Sequence, residues 1–159
     1  FMVKRIYKEK KLKKIFIATD HAGFKLKEIV KEYLLNLNYE IIDCGAYKFD
    51  SEDDYPDYIS EAAYKVSQTE GSIGIIFGGS GQGEAIAANR FKGVRAIVFY
   101  DGPDEIIKLS RQHNDANIIS LGARFIDSDR AIEVLNIWLS ANFDGGRHER
   151  RIKKIDKIC

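Results

Sequence analysis

Ile73-Gly74-Ile75-Ile76-Phe77-Gly78-Gly79-Ser80-Gly81-Gln82-Gly83-Glu84-Ala85-Ile86-Ala87-Ala88-Asn89 reads as an apolar strand, a glycine turn and a helix in direct succession. The run 73–77 is a buried strand by its continuous hydrophobicity, and 85–89 opens a helix. Four glycines between them let the backbone turn sharply and aim its N–H groups at a ligand. Those donors, with the positive end of a helix, suit an anion or an oxygen that gains negative charge during reaction. Glu84 stands where the loop becomes helix, and a carboxylate beside a ring of amide donors is equipment for moving a proton next to a carbonyl. The plainer alternative is a tight turn followed by a surface acid at a helix start.

Outward from this unit the pattern repeats. Ile15-Phe16-Ile17-Ala18 is a short strand, Phe24 to Asn36 a helix with Phe24, Ile29, Val30, Tyr33, Leu34 and Leu37 at helical spacing, and Glu40 to Cys44 a second strand. Strand, helix, strand within so few residues demands a parallel pair with a right-handed crossover. Residues 46–55 form an acidic loop holding Asp50, Glu52, Asp53 and Asp54, read as solvated and without recognisable metal-ligand spacing. Tyr55-Pro56 starts a helix with an apolar face of Tyr58, Ala62 and Val66. Gly93–Phe99 contains a fourth strand, Pro103 starts a helix reaching Asn114, and Ala116–Ser120 is a fifth strand. Asp127 or Ser128 caps a long helix with Ala131, Ile132, Val134, Leu135, Trp138 and Leu139 inward. Arg147–Arg151 opens a last basic helix carrying Ile152, Ile155 and Ile158.

Five strands alternating with helices predict an α/β fold, a doubly wound five-stranded parallel sheet with helices on both faces, Rossmann-like. Ligands in such sheets sit beyond the carboxyl ends of the strands. Three strands therefore deliver Asp20-His21, the glycine loop with Glu84, and Gly122 with Arg124 to one edge.

Composition narrows the function. The 159 residues, 45% hydrophobic with net charge +1, fit one domain over 14–159, preceded by a basic extension over 1–13. Neither disorder nor bulk nucleic-acid binding follows from that balance. Lys4, Arg5, Lys8, Lys10, Lys11 and Lys13 leave a nucleic-acid contact as a weaker idea for the extension. No apolar run reaches membrane-span length and none reads as a secretory signal, so the expected compartment is the cytoplasm. Cys44 and Cys159 make neither a disulfide framework nor a zinc site, and Cys44 reads as a small core residue. The dinucleotide motif Gly-x-Gly-x-x-Gly is not met, and no Gly-Lys-Ser/Thr follows the loop, so neither dinucleotide nor ATP chemistry is supported. Arg147 and Arg151 are four apart and share a helical face, an arrangement that forks onto phosphate, though a solvated charged helix is the plain alternative. His21 and His113 each stand beside a polar partner, Asp20 and Asn114, near predicted strand-end loops. Together these pieces suggest a small phosphorylated substrate, a proton shuttle, and no cofactor or metal.

Five segments then appear in order: 19–27 Thr-Asp-His-Ala-Gly-Phe-Lys-Leu-Lys, 54–58 Asp-Tyr-Pro-Asp-Tyr, 79–89 Gly-Ser-Gly-Gln-Gly-Glu-Ala-Ile-Ala-Ala-Asn, 110–114 Ser-Arg-Gln-His-Asn and 145–148 Gly-Gly-Arg-His. This resembles the type B ribose-5-phosphate isomerases and the related galactose-6-phosphate isomerase subunits, from about Lys14 to about Ile155. The resemblance implies a metal-independent aldose–ketose isomerase of carbohydrate metabolism, in the pentose phosphate pathway. It would move a proton between C1 and C2 of an open-chain sugar through a cis-enediolate. One subclass uses a cysteine at the end of the third strand as base; here Gly78 stands there, so the chain is similar to the subclass whose base is the glutamate after the loop, Glu84. By the same matching His113 would open the sugar ring, with Asp20 and Asn114 on hydroxyls or the ring oxygen. His21, Arg147, Arg151 and Arg124 would hold phosphate, and Tyr55 would lie near the sugar. Gly79, Gly81 and Gly83 would present amides, and Ser80 would add a hydroxyl donor. His148 matches without an evident role. The family implies a homodimer or tetramer in which His113-Asn114 reaches the neighbour's glycine loop. Ribose 5-phosphate is favoured over allose or galactose 6-phosphate because the candidate residues are complete in one chain; a non-catalytic sugar-phosphate sensor is the remaining alternative.

Overall fold

A computed structural model describes residues 12–158. Most of the basic extension, residues 1–11, and Cys159 lie outside the described residues. Five strands, β1 (Lys14–Thr19), β2 (Glu40–Asp43), β3 (Ile73–Gly78), β4 (Ala96–Phe99) and β5 (Ile118–Gly122), form one sheet in the order β2-β1-β3-β5-β4. Every pairing is parallel. Six α-helices, α1 (Phe24–Asn36), α2 (Tyr55–Gln68), α3 (Gln82–Ala88), α4 (Asp104–Gln112), α5 (Ser128–Ser140) and α6 (Arg147–Asp156), follow in chain order. The expected doubly wound α/β sheet is the observed one.

The central strands explain the layering. Ile15 and Ile17 of β1, Ile73, Ile75 and Phe77 of β3, and Ile119 and Leu121 of β5 pack with α1, α4 and α5. Phe16, Ala18, Ile76 and Ile118, the alternate positions, pack with α2 and α3. A sheet covered on both faces needs apolar residues at successive positions, hence continuous runs in place of alternation. The chain leaves β1 toward one edge of the sheet and returns past it to β3. The carboxyl ends of β1 and β3 therefore flank a topological switch point.

Several local expectations shift. The helix after the glycine loop begins at Gln82, three residues before Ala85, which places Glu84 inside its first turn. β5 runs Ile118–Gly122 and Pro103 is the N-cap of α4. Asp127 is the N-cap of α5, accepting from the Arg130 N–H at 2.8 Å. In α1, Ile29 and Leu37 are exposed whereas Lys27 is fully buried. The reason is electrostatic: Lys27 Nζ lies 2.9 Å from both Asp43 carboxylate oxygens and donates to the Ala46 carbonyl at 2.6 Å. Of the isoleucines expected on the last helix, Ile152 is buried and Ile155 exposed, while Ile158 lies beyond the helix end and is exposed. Cys44 is buried as expected, and burial pushes its thiol up to about 11.

Candidate active site

The glycine loop is set by β3, α3 and the end of β5. Gly81 caps α3 at φ 78°, a left-handed conformation that favours glycine. Its carbonyl accepts from Ser120 Oγ at 2.6 Å. The Ala123 and Arg124 N–H groups donate to the Gly78 and Gly79 carbonyls at 2.8 and 3.0 Å, stitching the loop to the segment after β5. Ser80 Oγ accepts from the Gln82 N–H at 3.3 Å, a long bond at the helix start.

Glu84 is only 4% exposed. Its carboxylate folds back over Gly78 and fills the space that a Cβ there would need. Burial raises its pKa above the usual carboxylate value, its own backbone N–H opposes this, and the charge of Asp20 adds to the rise. The upward shift overrides the helix-start field that would otherwise hold a carboxylate low. Gly83 faces Tyr55: a Cβ there would lie 2.7 Å from the Tyr55 hydroxyl oxygen, so the phenol lies directly over the loop. Gly79 faces Arg124, with the guanidinium carbon 3.1 Å from an added Cβ.

At the end of β1, buried Asp20 accepts from the Ala22 N–H at 2.9 Å and starts the short 3-10 turn His21–Gly23. His21 turns to Asp53, whose Oδ1 takes the His21 backbone N–H at 3.0 Å and meets ring Nδ1 at 2.7 Å. That hydrogen bond lifts the pKa of His21, assisted by Asp20 and opposed by burial and Arg124. Asp53 is the residue that sequence reading missed. It lies in a run of acids, 32 positions from His21, and nothing in the run sets it apart from its neighbours.

Asp20, His21, Tyr55, Glu84, Arg124 and Gly79, Ser80, Gly81 and Gly83 are thus brought together. His113, Asn114, Arg147 and Arg151 are not. His113 caps the carboxyl end of α4, which runs back toward the start of β5. The Asn114 carbonyl accepts from Arg95, the residue before β4, which fixes this segment at the amino edge of the sheet. The Asp144 N–H donates to the Gln112 carbonyl at 2.9 Å, bringing the start of α6 to the same edge. Five residues of β5 separate the two edges, roughly 16 Å of strand. The candidate residues, all carried by one chain, therefore fall at two opposite edges of the sheet.

At this second edge His113 stacks on His148, rings 4.2 Å apart and 10° from parallel. Burial, His113 and the two arginines lower the pKa of His148, and Asp144 opposes them. Among the described residues, the guanidinium groups of Arg124, Arg147 and Arg151 form no ion pair.

Among the described residues, two groups bring ligand-type atoms within 4.8 Å: Asp20, His21 and Asp53, and His113, Asp144 and His148. In the first, Oδ1 of Asp53 and Oδ1 of Asp20 already serve N–H donors, so it is a hydrogen-bonded cluster. In the second, Arg147 and Arg151 raise the local positive potential and oppose a cation.

Residues 15–155 match the family model described as Ribose/Galactose Isomerase. The probable ribose-5-phosphate isomerase B of Mycoplasma genitalium is 42% identical over 142 residues, 89% of this chain and 92% of that protein. Ribose-5-phosphate isomerase B of Escherichia coli is 39% identical over 92% of this chain and 97% of its own length. The crystal structure of the Mycoplasma genitalium enzyme with bound ribulose-5-phosphate superposes with TM-score 0.87 at 40% identity, covering 91% of this chain and 95% of that one. The Thermotoga maritima enzyme gives 0.84 at 46% identity, covering 91% and 97%. Fold and similarity together define an enzyme of the aldose–ketose isomerase class. The chain belongs to the Ribose/Galactose Isomerase family.

Proposed function

We propose that this protein interconverts ribose 5-phosphate and ribulose 5-phosphate, with Glu84 as the base and the site completed by a second copy of the chain. The observation that carries the chemistry is the buried Glu84 carboxylate, raised in pKa and folded over Gly78 at the head of the glycine loop. The substrate rests on the relatives named for this reaction and the neighbour holding ribulose-5-phosphate.

In this reading His113 of the second copy, stacked on its own His148, exchanges protons with the ring oxygen and the anomeric hydroxyl to open the furanose. Asp20 and Asn114 hold sugar hydroxyls. Glu84 takes the C2 proton of the aldose and the electron pair moves toward the carbonyl oxygen, giving a cis-enediolate. The loop N–H groups and Ser80 stabilise the developing oxyanion. Glu84 returns its proton to C1, while the proton on the C2 oxygen passes to the C1 oxygen, yielding the ketose. His21 and Arg124 of one copy, with Arg147 and Arg151 of the other, take the phosphate; three guanidiniums without an ion pair among the described residues support that role. No residue in this scheme calls for a metal or a cofactor.

Conversion of ribose 5-phosphate, measured with chelator present beside allose 6-phosphate and galactose 6-phosphate, tests the proposal. Chelator-resistant turnover of the pentose is the expected result. Turnover of a hexose alone would move the specificity, and binding without turnover of any sugar would favour a sensor.

A further inference from the structure

The Asp53 side chain is 4% exposed, and among the described residues its one ion-pair partner is His21. Oδ1 carries both His21 contacts, and Oδ2 is buried with no hydrogen-bond partner. A buried carboxylate with one oxygen unsatisfied is costly unless a cation faces it. The groups around the imidazole are Asp53 ahead of α2, Asp20 at the end of β1, Arg124 after β5, and the edge-on Phe49 ring at 6.3 Å in the loop after β2. Two of the three charges are negative and one is hydrogen-bonded, so the local balance favours imidazolium. His21 itself is 30% exposed along its side chain and, among the described residues, makes no second ring hydrogen bond, which leaves Nε2 available to a ligand.

We infer that Asp53 is a positioning residue for substrate binding: it anchors His21 through the backbone and Nδ1 so that Nε2–H is presented, on a charged ring, to the phosphate of the sugar. This rests on the reading of His21 as a phosphate ligand. Without the Asp53 charge the largest cause that raises the His21 pKa is lost, so the ring gives up its proton at lower pH. With it, the charged form of the ring persists to higher pH. A neutral ring that keeps its Nδ1–H on the position-53 oxygen has a bare Nε2 and cannot donate to the phosphate, so binding weakens as the ring loses its proton.

The test is Asp53→Asn, which keeps a carbonyl acceptor for both His21 contacts and removes the charge. KM for ribose 5-phosphate is measured from pH 5.5 to 8 for variant and native protein, and His21 is titrated by NMR in both. The substrate phosphate titrates in both series and cancels in their ratio. The expected result is a variant-to-native KM ratio near one at low pH that climbs roughly tenfold by pH 8, while the kcat ratio stays flat, with the His21 titration moved to lower pH. A flat KM ratio, or a His21 titration unmoved by the substitution, overturns the inference. So does a native His21 that titrates at or below about 6.5, a measurement needing no variant. His21→Gln separates the layers: if it leaves KM unchanged, His21 does not bind the phosphate and the underlying reading fails. If it raises KM while Asp53→Asn does not, only the role of Asp53 fails.

Discussion

The Glu84 carboxylate occupies the volume that a side chain on Gly78 would fill. In the proposed reading, that relationship links two alternative places for a base, a side chain at the end of β3 or a carboxylate reaching back from α3. A residue at position 78 and a carboxylate reaching back from α3 exclude one another, so the chain that carries Glu84 has glycine there. Gly78→Ala should push the carboxylate out of place while leaving the sheet register intact. We expect kcat to fall about 10²-fold with little change in melting temperature, because a misplaced catalytic group by itself costs that much. Unchanged kcat would mean that this placement of Glu84 is not the working one.

Opposite edges of the sheet hold Glu84 and His113, so the proposed site needs two chains. Glu84→Gln and His113→Asn, each inactive alone, should complement when unfolded together and refolded. Random reassortment makes half the dimers hybrid, each with one intact site, so about a quarter of native activity should return. Activity no higher than the two parents combined would contradict a shared site.

The raised pKa of Glu84 fixes the sign of two pH effects. As a base it must be ionised, so the acid limb of kcat/KM should lie above the usual carboxylate range and be absent from the residual activity of Glu84→Gln. For stability the sign is opposite to that of a salt-bridged acid. The unfolded chain ionises first as pH rises, so folding loses stability between the unfolded and folded pKa values. Glu84→Gln should melt higher than the native protein at pH 7 and at the same temperature near pH 4. A lower melting temperature at pH 7 would contradict the burial cost.

Arg147 is exposed and among the described residues carries no ion pair, which frees it for a phosphate. Arg147→Ala should raise KM roughly tenfold to a hundredfold, with a smaller effect on kcat. Steady-state kinetics on ribose 5-phosphate read this directly, and an unchanged KM would remove Arg147 from the site.

Much of this was legible in the sequence. The runs 15–18 and 73–77 announced apolar strands, which the fold buries on both faces, and the glycine loop links β3 to α3, with Glu84 in the first turn of that helix. What the sequence hid was three-dimensional. Lys27 looks like a surface residue of an amphipathic helix until Asp43, 16 positions on, is placed against it. Asp53 is one acid among several until the fold sets His21 over it. The segment around His113 follows a helix, and only its direction relative to β5 reveals which edge it reaches. The stacking of His148 on His113 is likewise a product of the turn before α6, not of any local pattern.

The most direct test of the central claim is the turnover of ribose 5-phosphate by Glu84→Gln, with ribulose 5-phosphate binding measured calorimetrically on the same sample. If Glu84 carries the proton, kcat falls about 10²- to 10⁴-fold while the dissociation constant stays within a few-fold of the native value. Near-native turnover by a variant that binds normally would contradict the account.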